Sequence, residues 1–329
     1  MNASGDLIVL LVILAILGAA MLPRQWRPSG TAHGTARWAN MDDLRRAGML
    51  RTGDGLILGK TRTGRLIRMF RYVHLAIFSP AGGGKTVSFS MVWCMTKRFG
   101  SMVVNDPKGE LYRLSAHIRR AMNHKVIRLD PARVCGPGED TCNPLDLIGD
   151  GEECVDDCRA LAEAMCPEAP EGERDPHWRE QAVNVCATLL AFICTELKAE
   201  ERNLTSLRAL LSQENLCLAA VAAMRAKGGV FADLAGIIEQ LQSKEEGGGW
   251  SKEGASVMST LHRHTQFLSS PAIIRNTSKS SFDARELLNG NVTVYIIVAP
   301  HLQEAWSRWT RLVIASFIRL IGREAEQEN

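Results

Sequence analysis

None of the nine cysteines forms a CxxC pair, and the histidines supply no partners at short spacing, so a structural zinc site has nothing to build on. Cys154 and Cys158 stand one helical turn apart, and Cys186 and Cys194 fall in an apolar helix. They read as reduced thiols in a core. An excess of either charge is also lacking. The formal net charge is +3, too small to argue by itself for a nucleic-acid partner. No internal repeat is evident, and there is a single long hydrophobic run. What remains is ordinary: 329 residues that are 46% hydrophobic and 23% charged make one substantial domain with an insertion, or two modest ones, around a packed core.

The hydrophobic run is Leu7 to Leu22, LIVLLVILAILGAAML. As a helix, its roughly sixteen residues reach about 24 Å against a hydrocarbon core of about 30 Å, a short span that local thinning accommodates. A cleaved leader is the rival reading. Leaders carry basic residues before the apolar run, whereas this one has Asp6 and no Lys or Arg there, which favours a retained single-pass anchor. Positive charge follows at Arg24 and Arg27, so the positive-inside rule puts the bulk of the chain on the cytoplasmic side. From Arg24 to Arg71 basic residues face only Asp42, Asp43 and Asp54; from Glu139 to Glu180 carboxylates dominate. That asymmetry predicts a basic face near the membrane and an acidic module elsewhere.

Glycines punctuate residues 23–70, with a short helix from Asp42 to Met49 behind an Asn40 cap. Apolar, β-branched runs at Val73–Phe78, Ser101–Asn105 and Lys125–Leu129 alternate with helices at Val87–Arg98 and Lys108–Met122. This is the pattern of a parallel α/β sheet. Residues 151 to about 268 then read almost entirely as helix, and a strand returns at Val292–Val298 before a helix carrying Trp306, Trp309, Leu312, Val313 and Phe317. The predicted organisation is an anchor (1–23), a basic linker with small elements (24–70), the first part of an α/β domain (71–150), an all-α insertion (151–290) and a return to the sheet (291–329).

Between the first strand and its helix stands Ser79-Pro80-Ala81-Gly82-Gly83-Gly84-Lys85-Thr86. A glycine run there lets successive N–H groups turn around phosphates, Lys85 reaches the β- and γ-phosphates, and the Thr86 hydroxyl holds Mg²⁺. A P-loop usually opens on glycine where this chain has Ser79. The bland alternative is a structural glycine loop with a chance Lys-Thr. At the end of the next strand, Asp106-Pro107-Lys108-Gly109-Glu110 places two carboxylates on the edge where parallel sheets bind ligands, with Asp106 or Glu110 as candidates to position a water. Asp with Pro after it is equally an ordinary helix start, and Asp130-Pro131 repeats it after the third strand. His262, Arg263 and His264 read as a packed or solvated helix face.

Taken together, these residues resemble a known family. His33-Gly34-Thr35-Ala36-Arg37-Trp38-Ala39, Gly55-Leu56-Ile57-Leu58-Gly59, the loop ending Gly84-Lys85-Thr86, Asp106-Pro107-Lys108-Gly109-Glu110-Leu111, Leu129-Asp130-Pro131, Cys142-Asn143-Pro144-Leu145-Asp146 and Val298-Ala299-Pro300 follow one another as in the type IV secretion coupling ATPases, the TraG/TraD-type conjugation proteins. The resemblance implies a RecA-like P-loop NTPase domain binding ATP and Mg²⁺, and an all-α domain that engages relaxase–DNA or effector substrates. It further implies a hexameric assembly at the bacterial inner membrane, working with channel components of a type IV secretion system. Two departures stand out. Such proteins usually have more than one span, and they carry a later strand ending in an Asp-Glu pair, the Walker B element, which nothing after Val298 supplies. The expectation is therefore a truncated or split member with an exposed sheet edge, which either transports with ATP or binds nucleotide and docks without turnover.

Overall fold

The computed structural model describes residues 37–71, 74–149, 151, 153–168, 176–243 and 249–327. The predicted anchor at Leu7–Leu22 lies outside the described residues; among those described, no helix is long and apolar enough to cross a membrane. The chain divides into two compact units, Met1–Gly53 with Leu58–Phe70, and Asp54–Ile57 with Arg71–Asn329.

In the smaller unit, helix α1 (Met41–Arg46) begins where Asn40 predicts. The Asn40 side chain accepts from Asp43 N at 2.9 Å, and Asp43 returns the bond to Asn40 N at 2.9 Å, a closed capping box. Strands β1 (Leu56–Lys60) and β2 (Leu66–Met69) form a two-stranded sheet. Arg65 donates to the Leu50 carbonyl at 2.8 Å, and Arg51 lies over the Phe70 ring at 5.4 Å. The three acidic residues of this basic stretch are all engaged: Asp42 and Asp43 pair with Arg37, Arg45 and Arg46, and Asp54 pairs with Lys97.

The larger unit is built on three parallel strands in the order β3 (Met102–Asn105), β5 (Val292–Ile296), β4 (Lys125–Leu129). The strand latest in sequence is therefore central, and burial on both faces explains why it is apolar throughout. Its side chains alternate as the pleat requires. Val292, Val294 and Ile296 join one cluster with the helical segment, whereas Tyr295 and Ile297 join another with Leu111 and Ala116 of α3 (Glu110–Ala121). Arg119, fully buried on α3, fastens that second layer. Its Nε donates to Thr293 Oγ1 at 2.9 Å, its Nη1 donates to the Lys97 carbonyl, and its Nη2 lies 2.9 Å from His124 Nδ1. Burial pushes the pKa of both Arg119 and His124 down, so His124 accepts as a neutral ring.

The predicted helical segment is helical. It comprises α4 (Cys154–Met165), α5 (Pro176–Glu196), α6 (Leu204–Ser212), α7 (Glu214–Lys227), α8 (Val230–Glu239), α9 (Lys252–His264) and α10 (Pro271–Thr277). From Ala182 to Cys194, α5 is buried nearly all round, the mark of a central helix, with α4 and α9 packed on it. Each large aliphatic side chain so buried contributes about 1.5–3 kcal/mol. One continuous core includes these helices, Ile127 and Leu129 of β4, and Trp309, Leu312, Val313 and Phe317 of α11 (Ser307–Gln327). A buried carboxylate locks α4 to α11: Asp157, 1% exposed, accepts from Arg319 at 2.7 Å and from Arg323.

One predicted strand does not form. Residues 74–80 make no ladder, and Leu75 and Phe78 are 40% and 94% exposed. An apolar run becomes a strand only by exchanging backbone hydrogen bonds with a neighbour. Among the described residues the sheet is β3–β5–β4, and residues 74–80 pair with neither outer strand.

Candidate nucleotide-binding site

The glycine loop is held from behind rather than from in front. After Lys85 the chain makes a wide helical turn over Thr86–Ser90 and continues as α2 (Met91–Thr96). Met91 of α2 packs on the cluster of Leu111, Ala116, Tyr295 and Ile297, and Cys94 is 2% exposed. Trp93 Nε1 donates to the Ile57 carbonyl at 2.8 Å. Asp54 gathers the end of the helix, accepting from Lys97 Nζ at 2.6 Å, Arg98 N at 2.5 Å and Phe99 N at 2.9 Å. These three donors hold its carboxyl below the usual carboxylate range although partial burial opposes them. Asp54 and Trp93 give no sequence signal beyond their types, because their partners lie about forty positions away.

Within the loop, Lys85 folds back over its own backbone. Its Nζ donates to Ser79 O at 2.5 Å and Pro80 O at 3.0 Å. Gly83 N donates to Pro80 O at 3.1 Å, and Gly82 and Gly84 have φ of +75° and +79°. Gly83 matters through close approach: a Cβ there would lie 2.0 Å from Ser79 Oγ and 3.0 Å from Pro80 O. The serine that replaces the usual first glycine thus fills the space that Gly83 leaves open. Thr86 is exposed. A flexible ammonium lodged against carbonyls, a glycine backbone with two positive-φ residues flanking a close approach at Gly83, and an exposed hydroxyl at Thr86 fit a triphosphate with its Mg²⁺.

The two candidate carboxylates part company. Asp106 is 3% exposed at the end of β3, where its Oδ2 accepts from Tyr112 N at 2.8 Å in the first turn of α3. Asp130 does the same after β4, accepting from Val134 N and Cys135 N, both at 2.8 Å. Gly109, at φ +69°, completes the first turn, and a Cβ on it would stand 2.3 Å from Cys135 Sγ. Glu110 is exposed on the first turn of α3. Among the described residues no hydrogen bond is found between Asp106 or Glu110 and the glycine loop, which is closed by Lys85 and by the Gly83 N–H to Pro80 O. A cavity of about 540 Å³ lies at the carboxyl ends of β3 and β5, lined by Asn105, Pro107, Val298, Gln303, Thr310 and Arg311 among others. Four of these come from the segment after β5, so sequence reading had no way to place them beside Asn105.

The sequence model of the family described as type IV secretory system conjugative DNA transfer matches residues 37–329. The chain belongs to this family. It is 27% identical over 351 residues to the conjugal transfer protein TraG of Escherichia coli, an alignment covering 96% of this chain and 54% of that protein. Against the type IV secretion system-coupling protein VirD4 of Bartonella quintana (strain Toulouse), identity is 24% over 353 residues, covering 94% and 52%. The chain spans about half the length of these curated relatives. A solved bacterial conjugative coupling protein, TrwBdeltaN70 in its unbound monoclinic form, covers 86% of this chain and 57% of its own at 14% identity, with a TM-score of 0.32. A superposition at that score establishes no detail of the site. For a member of the family, the parallel sheet with helices on both faces and the loop before α2 are the relevant frame.

Proposed function

We propose that this chain is the nucleotide-binding portion of a membrane-anchored coupling protein, RecA-like in its α/β part, that delivers DNA or protein substrates to a type IV secretion channel. The observation that carries the site is Lys85 Nζ, held by Ser79 O and Pro80 O. Lys85 Nζ would turn from those carbonyls to a phosphate oxygen, with the backbone N–H groups of the glycine run as further donors. Thr86 would hold the metal ion through its hydroxyl. Bound Mg-ATP supplies the chemical free energy of phosphoryl transfer. Asp106 orients the first turn of α3, and Glu110, exposed beside it, is the carboxylate with freedom to meet a water or a partner. The apolar run at Leu7–Leu22, the hexamer and the contacts with channel and relaxase complex are further parts of this proposal; they rest on family membership and on the sequence.

Titration of the detergent-solubilised full chain with a fluorescent ATP analogue, with and without Mg²⁺, tests the reading. Lys85→Ala removes one charge-assisted contact, about 1.5–3 kcal/mol, so affinity falls roughly 10- to 100-fold. Binding unchanged in Lys85→Ala refutes the site. A second reading, docking without turnover, is favoured by the engagement of Asp106 with Tyr112 N; nucleotide bound with turnover at background selects it.

A further inference from the structure

Charge is unevenly spent in the smaller unit. Its described residues, 37–53 and 58–70, carry eight Lys and Arg against two carboxylates. Both carboxylates are used at α1: Asp42 pairs with Arg45, and Asp43 with Arg37 and Arg46, each at 2.7 Å. None of them reaches the hairpin of β1 and β2. Lys60 and Arg62 are exposed there and make no ion pair among the described residues.

The hairpin has a defined shape. Gly64 N donates to Thr61 O at 2.9 Å and Thr61 N to Arg65 O at 2.8 Å, with Gly64 at φ +82°. This is a three-residue loop whose last position favours glycine, and it carries Arg62 at the tip. Pairing of Thr61 with Arg65 sets Lys60 opposite Leu66, and the pleat, continued one step past β2, brings Leu66 and Phe70 to one face. Leu66 and Phe70 are 39% and 36% exposed. Arg51 lies over the Phe70 ring at 5.4 Å. The face thus runs from Arg62 through Lys60 and Leu66 to Phe70 and Arg51, with cations at both ends and apolar side chains between them.

We propose that this face is a docking surface for acidic phospholipid headgroups, with Lys60 and Arg62 on the phosphates and Leu66 and Phe70 at the acyl boundary. Cations with exposed apolar side chains between them suit the bilayer interface, where phosphates meet the former and acyl chains the latter. A nucleic-acid strand would instead want a free aromatic face for its bases, and the ring on this face has Arg51 over it. The fourteen residues between Leu22 and Arg37 span at most about 50 Å, so an anchor at Leu7–Leu22 keeps the hairpin within reach of the headgroups. The inference rests on that anchor and adds a second, electrostatic contact, in which each cation at an anionic surface strengthens attachment roughly fivefold.

The test uses the full chain with Thr63→p-benzoylphenylalanine, a photo-crosslinker at an exposed position of the tip, reconstituted into phosphatidylcholine vesicles that hold phosphatidylglycerol as the minor lipid. After irradiation, mass spectrometry reads which lipid is attached. Phosphatidylglycerol adducts should exceed that lipid's share of the bilayer about fivefold. Adding Lys60→Gln and Arg62→Gln, or raising the salt to screen the charges, should return them to that share. Adducts in bulk proportion, no lipid adduct at all, or enrichment unchanged by the two glutamines overturns the proposal. Crosslinking to an added single-stranded oligonucleotide without lipid enrichment also overturns it and assigns the face to nucleic acid. Alkaline carbonate extraction reads the anchor separately: a chain that carbonate releases, yet whose phosphatidylglycerol adducts stay enriched, refutes the anchor and upholds the hairpin site.

Discussion

Replacing Asp106 by Asn and by Ala separates a carboxylate that builds the fold from one that does chemistry. In the structure Asp106 Oδ2 accepts from Tyr112 N at 2.8 Å, and the residue is 3% exposed. Its backbone bonds, Asp106 N to Ile296 O at 2.9 Å and Gly109 N to Asp106 O at 3.1 Å, survive either change. Ala removes a charged acceptor, about 1.5–3 kcal/mol, and a negative charge at the start of α3, about 0.3–1 kcal/mol. The sum is about 2–4 kcal/mol. Asn keeps an acceptor oxygen and loses only the charge, so about 1 kcal/mol is expected. Asp130 is an internal control. It accepts from two backbone N–H groups, Val134 N and Cys135 N, and an amide can turn only one oxygen toward them. Asp130→Asn should therefore cost more than Asp106→Asn, about 2–3 kcal/mol, with an N–H facing an N–H. Urea unfolding followed by far-UV circular dichroism reads these differences as midpoint shifts at unchanged slope, and nucleotide turnover is measured on the same samples. If Asp106→Asn leaves the midpoint in place but abolishes turnover, the capping argument is wrong and Asp106 is a catalytic carboxylate.

Three further outcomes are expected. Gly83→Ala forces a Cβ to within 2.0 Å of Ser79 Oγ; nucleotide affinity should fall about tenfold and be partly restored in the Ser79→Gly, Gly83→Ala double variant, a coupling that a binding cycle measures. Asp157→Ala releases Arg319 and Arg323, which are 40% and 23% exposed and can return to water, so roughly 2–3 kcal/mol is lost, whereas Arg319→Ala, with Arg323 still paired, should cost under about 1 kcal/mol in the same urea assay. Stability should decline in acid: burial, then Arg308, Arg263 and Arg179, bring His264 down to about 4, and His124 and His262 shift the same way, chiefly through burial. The unfolded chain binds these protons first, so stability is full above about pH 6.5 and falls toward pH 4, by at most about 1.4 kcal/mol per pH unit for each histidine. A flat profile across that window, or a rise, would refute the burial of neutral rings.

Much of the molecule was legible because its signals are local. An Asn three positions before an Asp writes a capping box, and the bond pattern at Asn40 and Asp43 follows. A β-branched run buried on both faces writes a central parallel strand, and Val292–Ile296 takes that place with Lys125–Leu129 beside it. The glycine loop with Lys85 and Thr86 is contiguous, so it stands out as a candidate phosphate site without any knowledge of the fold. Order along the chain was enough to tie the motifs to one family.

What the sequence could not decide is which pairs of distant groups meet. Whether a run such as Val73–Phe78 finds a strand to pair with is a property of the sheet alone, and residues 74–78 pair with neither β3 nor β4. Only the packed fold places Tyr112 N on the Asp106 carboxylate. Asp157 with Arg319 and Arg323 joins residues more than 160 positions apart. Local sequence fixes backbone preference and the chemical menu of each side chain. Burial, charge pairing and the shift of a thiol or an imidazole depend on neighbours that only the packed core supplies.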